Sequence, residues 1–199
     1  MRVCNVVGLL GVLASAAALA DAPIASEADR AEGGERSLSA LVGTAGFGLG
    51  ASEAMTDLRF RALELYAALN DRTLDARYGE SWTFLRRRAF SWTGHVSGSA
   101  RFTLAGPFDA GLGPTGGLSF GWGGRRWDVF FGASLGAEYF VVATAVRAPV
   151  RLSVGARGRW GSLQLGLTAR GGADLAPGLA PAGRADAVVT VGWGRGQGE

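Results

Sequence analysis

The chain has 199 residues, among them one histidine and one cysteine, so few side chains can do chemistry. The imidazole is His95, and Ser97 follows it in His95-Val96-Ser97. A serine hydroxyl becomes nucleophilic only beside a general base, which is most often histidine. Gly111-Leu112-Gly113-Pro114-Thr115-Gly116 spells G-x-G-x-x-G. A dinucleotide fingerprint needs a strand before it and a helix after it. Here an alternating strand follows, so no nucleotide cofactor is expected. Arg86-Arg87-Arg88 offers three guanidinium groups to a phosphate or to lipopolysaccharide. Its expected role is a solvated charged loop.

Composition removes other chemistries. All 20 basic residues are arginine, which excludes a P-loop lysine, a Schiff base and a Ser-Lys dyad. One imidazole and one thiol make a transition-metal site unexpected. The pI near 9.7 reflects arginine without lysine, and no nucleic-acid partner is expected.

The N-terminus reads as a targeting segment. Arg2 precedes the mostly apolar run Val6–Ala20, too short to cross a bilayer as a helix. The run ends in Ala18-Leu19-Ala20 before Asp21, a small-x-small cleavage pattern. Residues 1–20 are therefore expected to be a signal peptide and the protein to be exported. Cys4 lies inside it, so the mature chain has no thiol and no disulfide. Losing Arg2 lowers the formal charge from +3 to +2. Residues 21–37 are small and acidic, and read as a flexible segment.

From Leu38 the chain alternates. In WTGHVSGSARFTL (92–104) the even positions are apolar or glycine and the odd ones polar. That is a two-faced strand, with His95, Ser97 and Arg101 on its polar side. Segments 41–51, 116–123, 127–140, 146–157, 162–170 and 186–193 repeat the pattern. In 41–51, Leu41, Ala45, Phe47 and Leu49 share one parity. The expected lengths suit tilted strands crossing a bilayer. GGRR (123–126) and GRWG (158–161) read as tight turns. Segments 105–115 and 171–184 read as longer Gly/Pro loops, and as places where an unknown ligand or partner could bind.

Residues 57–69 are ambiguous, since their Ala, Leu and Glu content favours helix while Leu58, Phe60 and Ala62 alternate. Residues 73–91 read as a long connection or a further hairpin. With the N-terminus in the periplasm, Trp92, Trp122, Trp127, Trp160 and Trp193 fall on one rim, like an interfacial aromatic girdle. For Trp92 to begin there, an even number of strands must precede it, so 57–69 is taken as a strand.

The whole, about residues 38–194 with a tail at 195–199, resembles the small eight-stranded bacterial outer-membrane barrels. That group includes the OmpA transmembrane domain and OmpX-like proteins. The resemblance implies an all-β antiparallel up-and-down barrel of about eight strands, or ten, in the outer membrane among lipid and lipopolysaccharide. Outer-membrane lipid A deacylases pair His-x-Ser with a downstream carboxylate. By that likeness His95 and Ser97 would need Asp109 or Glu138. Strand parity points His95 and Ser97 into the lumen, whereas a lipid-cleaving triad must open to the bilayer. The expectation is therefore a non-enzymatic barrel with an envelope-structural or surface-binding role, its lumen filled by its own side chains. It has no catalytic, cofactor-binding or metal residue. The alternatives are a secreted soluble barrel or sandwich holding an apolar ligand, and the hydrolase.

Overall fold

The computed structural model describes residues 35–70, 72–87, 89–104, 108–124, 126–178 and 180–195. The expected signal peptide at 1–20, residues 21–34 of the expected flexible segment and the tail beyond Arg195 lie outside the described residues. Eleven strands follow one another, with no helix among the described residues. They are β1 (Arg36–Gly43), β2 (Gly46–Thr56), β3 (Arg59–Ala68), β4 (Thr73–Arg87), β5 (Phe90–Thr103) and β6 (Asp109–Gly123). Then come β7 (Trp127–Gly136), β8 (Glu138–Phe140), β9 (Ala145–Trp160), β10 (Leu163–Leu175) and β11 (Ala182–Arg195).

Apart from β7 and β8, each strand pairs antiparallel with the next, and β1 pairs with β11, which closes the sheet. β7 and β8 are one barrel strand broken at Ala137, since both pair with β6 and with β9. The result is a closed up-and-down barrel of ten strands. Following cross-strand partners from Trp160 through Leu163, Trp193, Leu38 and onward to Pro114 climbs the wall. The path returns to β9 between Val150 and Arg147, well above its start. Such a stagger obliges the strands to tilt, by about 35–45° in barrels of this kind.

The side chains sort by face. Val96, Leu118, Phe131, Leu152 and Leu167 are exposed on the outer wall. Ser97, Arg101, Ser119, Asp128, Arg151 and Arg170 are buried inside. An apolar exterior around a polar interior suits lipid outside and rules against the soluble sandwich. Both described termini and the short turns at 57–58, 124–126 and 161–162 share one end, which is thereby the periplasmic one. All six tryptophans lie near it, because Trp82 joins the expected five through its pairing with Arg59 at the start of β3.

Several expectations are corrected. The barrel has ten strands, the higher of the two expected counts, because 73–91 supplies β4 and 41–51 divides between β1 and β2. Segment 41–51 is not one strand but a hairpin turning at Thr44–Ala45. The turn is tied to β11, where Thr44 N–H donates to Ala187 O (3.0 Å) and Thr44 Oγ1 to Asp186 (2.6 Å). Gly46 makes it possible, since a Cβ there would overlap the Ala67 carbonyl. Leu41 consequently points inward while Phe47 and Leu49 face out. Segment 57–69 is a strand, as expected against its helix propensity, because ladder pairing on both sides outweighs a local preference. β1 begins at Arg36, two residues before the expected start. Within 105–115 and 171–184, residues 109–115, 171–175 and 182–184 are strand, and residues 105–107 and 179 lie outside the described residues.

Candidate functional site

β5 carries the candidate chemistry because its inner face is uniformly small or polar. His95 and Ser97 both project into the lumen, two positions apart on one strand. Side chains so spaced are about 6.6 Å apart along the strand. Directly opposite His95 in the ladder is Ser81 of β4, and a facing pair has Cβ atoms about 4.5–5.5 Å apart. On the other side His95 faces Gly117 of β6. The imidazole leans over that glycine, where a Cβ would overlap its Cε1. His95 Nδ1 has no hydrogen-bond partner, and neither do Ser81 Oγ, Ser91 Oγ and Ser119 Oγ nearby. Thr83 and Thr93 hydroxyls pair at 3.0 Å just below. Beside β4, β5 and β6 the periplasmic half of the lumen thus holds one imidazole among hydroxyls.

The outer half is ionic. Arg101 Nε donates to Asp75 at 2.8 Å, and its Nη1 lies 2.9 Å from Glu138. Asp174 takes an ion pair from Arg151 and another from Arg184 at 3.1 Å, and lies 4.0 Å from Arg101. The network therefore crosses the lumen from β4 to β11. Asp186 accepts from Tyr66 at 3.2 Å, beside the buried apolar cluster of Leu41, Ala45, Ala68 and Val188. Nearer the periplasm Arg157 pairs with Asp128 (2.8 Å) and Arg159 with Glu35 (2.6 Å).

The two carboxylates suggested for a triad are engaged elsewhere. Glu138 is held by Arg101, and Ser99 donates to it at 3.5 Å. Asp109 stands at the outer end of β6 and accepts from the N–H groups of Ala110, Val142 and Ala143. It organises the turn before β9 and does not meet His95. Gly111–Gly116 lies within β6, so the G-x-G-x-x-G reading is excluded. Its odd positions give the lumen room: a Cβ at Gly111 would press on the Phe140 ring. Arg86 and Arg87 end β4 at the periplasmic rim, exposed to solvent, and Arg86 donates to Asp57 O at 3.4 Å.

Ser81 and Asp75 escaped the reading of the sequence because β4 was taken for a connection. A signal was present: Leu74, Ala76, Tyr78, Trp82 and Phe84 alternate with polar residues, and only Glu80 interrupts them.

No family model and no curated protein matches this sequence. Among solved structures, the barrel is similar to the outer membrane enzyme PagL. The identity is 12%, the TM-score 0.42, and the match covers 81% of this chain and 99% of that one. The chain has the fold of an outer-membrane β-barrel. The expectation of a non-enzymatic barrel is corrected by this comparison, since an outer-membrane barrel of similar architecture is an enzyme.

Proposed function

We propose that this barrel is a hydrolase of the outer membrane, in which His95 is the general base for attack on an ester. The observation that supports it is the open Nδ1 of His95 among unpartnered serine hydroxyls. A positioned imidazole of this kind contributes about 10²–10⁴-fold to proton transfer. Ser81, in the facing ladder position, and Ser97, two residues along the same strand, are the candidate hydroxyls; a water molecule is the third candidate. The hydroxyl oxygen bonds to the ester carbonyl as its proton passes to His95. The alcohol then departs with that proton, and water releases the acyl group as a carboxylic acid.

In this reading the protein sits among phospholipid and lipopolysaccharide, exported by residues 1–20; sequencing the mature N-terminus tests that route, with Asp21 the expected first residue. The test of the activity uses the refolded chain with a soluble chromogenic ester and, separately, with lipopolysaccharide. Hydrolysis in either arm that falls about 100-fold or more in His95→Ala, at unchanged gel migration, supports the reading. Absence of hydrolysis in both arms, or an undiminished rate in His95→Ala, rejects it. The lipopolysaccharide arm separates a lipid substrate from a soluble one.

A further inference from the structure

The outer wall is not uniform around the barrel. On β9 apolar residues alternate outward at six positions from Val146 to Ala156, and on β7–β8 at six from Val129 to Tyr139. On β1 there are three, Leu38, Ala40 and Val42, and on β3 three, Leu63, Leu65 and Ala67. β2 and β4 have the same short run before a charge interrupts it. Outward positions recur every ~6.6 Å along a strand tilted by about 40°, so six span roughly 25 Å of height and three only about 10 Å. The apolar band of an outer-membrane barrel is ~25 Å tall. One wall matches it and the other falls short.

The charges that cut the band form a single row. Arg36 faces Glu53, Glu53 faces Arg61, and Arg61 faces Glu80 in the ladders of β1 to β4. They are paired on the outside: Arg36 and Arg61 both bind Glu53, and Arg59 binds Glu80 at 2.7 Å. Ionisable groups in hydrocarbon are costly and rare on the lipid face. The tryptophans give a second, independent sign. They lie on β4, β5, β6, β7, β9 and β11, and β1 to β3 carry none, so the aromatic girdle breaks over three of the four strands that hold the charges.

We propose that the outer membrane is thinned along β1–β4. There the phosphate headgroups of the periplasmic leaflet are drawn up to Arg36, Arg59 and Arg61. Thinning is the standard response of a bilayer to a short apolar wall, and arginines with exposed heads suit phosphate. The inference is independent of the hydrolase reading. It concerns the outer wall, and its test involves no activity.

The test uses spin labels in a Cys4→Ser chain, so that each variant bears one thiol. Leu63→Cys, Phe131→Cys and Leu167→Cys each place the label at the third outward position from the periplasmic end of its strand. In vesicles of ordinary chain length, the label at 63 should meet a water-soluble nickel chelate, relative to oxygen, several-fold more than the other two. In short-chain vesicles the three values should converge. Equal ratios in the ordinary vesicles overturn the proposal. So does a label at 63 shielded from both reagents, which means a second copy or another protein covers this wall. In Glu53→Leu/Arg61→Leu/Glu80→Leu, the label at 63 should move to the depth of the others; a folded variant that leaves it unmoved overturns the role of the row.

Discussion

Arg101 donates from Nε to Asp75 across 2.8 Å inside the lumen, and the same guanidinium lies 2.9 Å from Glu138. One cation therefore serves carboxylates on two different walls. Arg101→Leu leaves both acids without it in a buried setting, which costs about 3–5 kcal/mol. Asp75→Asn removes one acid and leaves Arg101 with Glu138, so its cost should be clearly smaller. Unfolding in urea, followed by the loss of heat-modifiable migration, measures both. A larger loss in Asp75→Asn than in Arg101→Leu would contradict the assignment of Arg101 as the hub.

The six tryptophans should report one shallow depth. All are exposed on the outer wall near the periplasmic turns, with Trp122 and Trp127 edge to face at 5.5 Å. Indole rings favour the headgroup boundary, where one end is wet and the other apolar. Phospholipids brominated near the headgroup should quench the emission more strongly than those brominated near the chain ends. Stronger quenching from the bilayer centre would place the rim wrongly.

How far the sequence reveals this molecule depends on the purity of each face. β5 is readable because nothing polar stands on its even side and nothing greasy on its odd side. Trp92 then fixes which face meets lipid. β3 misleads because its Ala, Leu and Glu residues suit a helix, and because Phe60 and Ala62 point into the lumen where polar residues are expected. β4 is hidden by Glu80, an outward charge in an otherwise apolar alternation, and with β4 hidden and 41–51 read as one strand the count stops at eight. The imidazole was legible as a candidate, but its true neighbour was not. Ser97 is close in the chain, whereas Ser81 is brought opposite His95 only by strand register, which sequence spacing does not record.

The turn between β8 and β9 is held by a side chain from β6. Asp109 accepts from Val142 N–H at 2.9 Å and from Ala143 N–H at 3.2 Å. Thr144 then adopts a φ of 47°, in the left-handed region that β-branched residues avoid. Thr144→Gly should stabilise the barrel by roughly 1 kcal/mol, because glycine occupies that region without strain. Asp109→Ala should cost ~0.5–1.5 kcal/mol and make the turn a site of limited proteolysis in intact vesicles. A destabilised Thr144→Gly would show that the turn is not strained.

Gly158 and Trp160 test the girdle at a single ring. A Cβ at position 158 would overlap the Trp160 ring, and no backbone atom stands in its way. The ring can swing aside, so Gly158→Ala should fold and lose little stability. It should nevertheless lift one indole from the outer wall toward water, at the edge where Arg159 is fixed by Glu35 and by the Gly161 carbonyl. The emission maximum should move to longer wavelength in Gly158→Ala. The shift should be lost in a Trp160→Phe background, where Trp127, the ladder partner of Gly158, is the indole left beside it. A shift that persists there means the glycine acts on the wall as a whole, and that Trp160 is not seated on it.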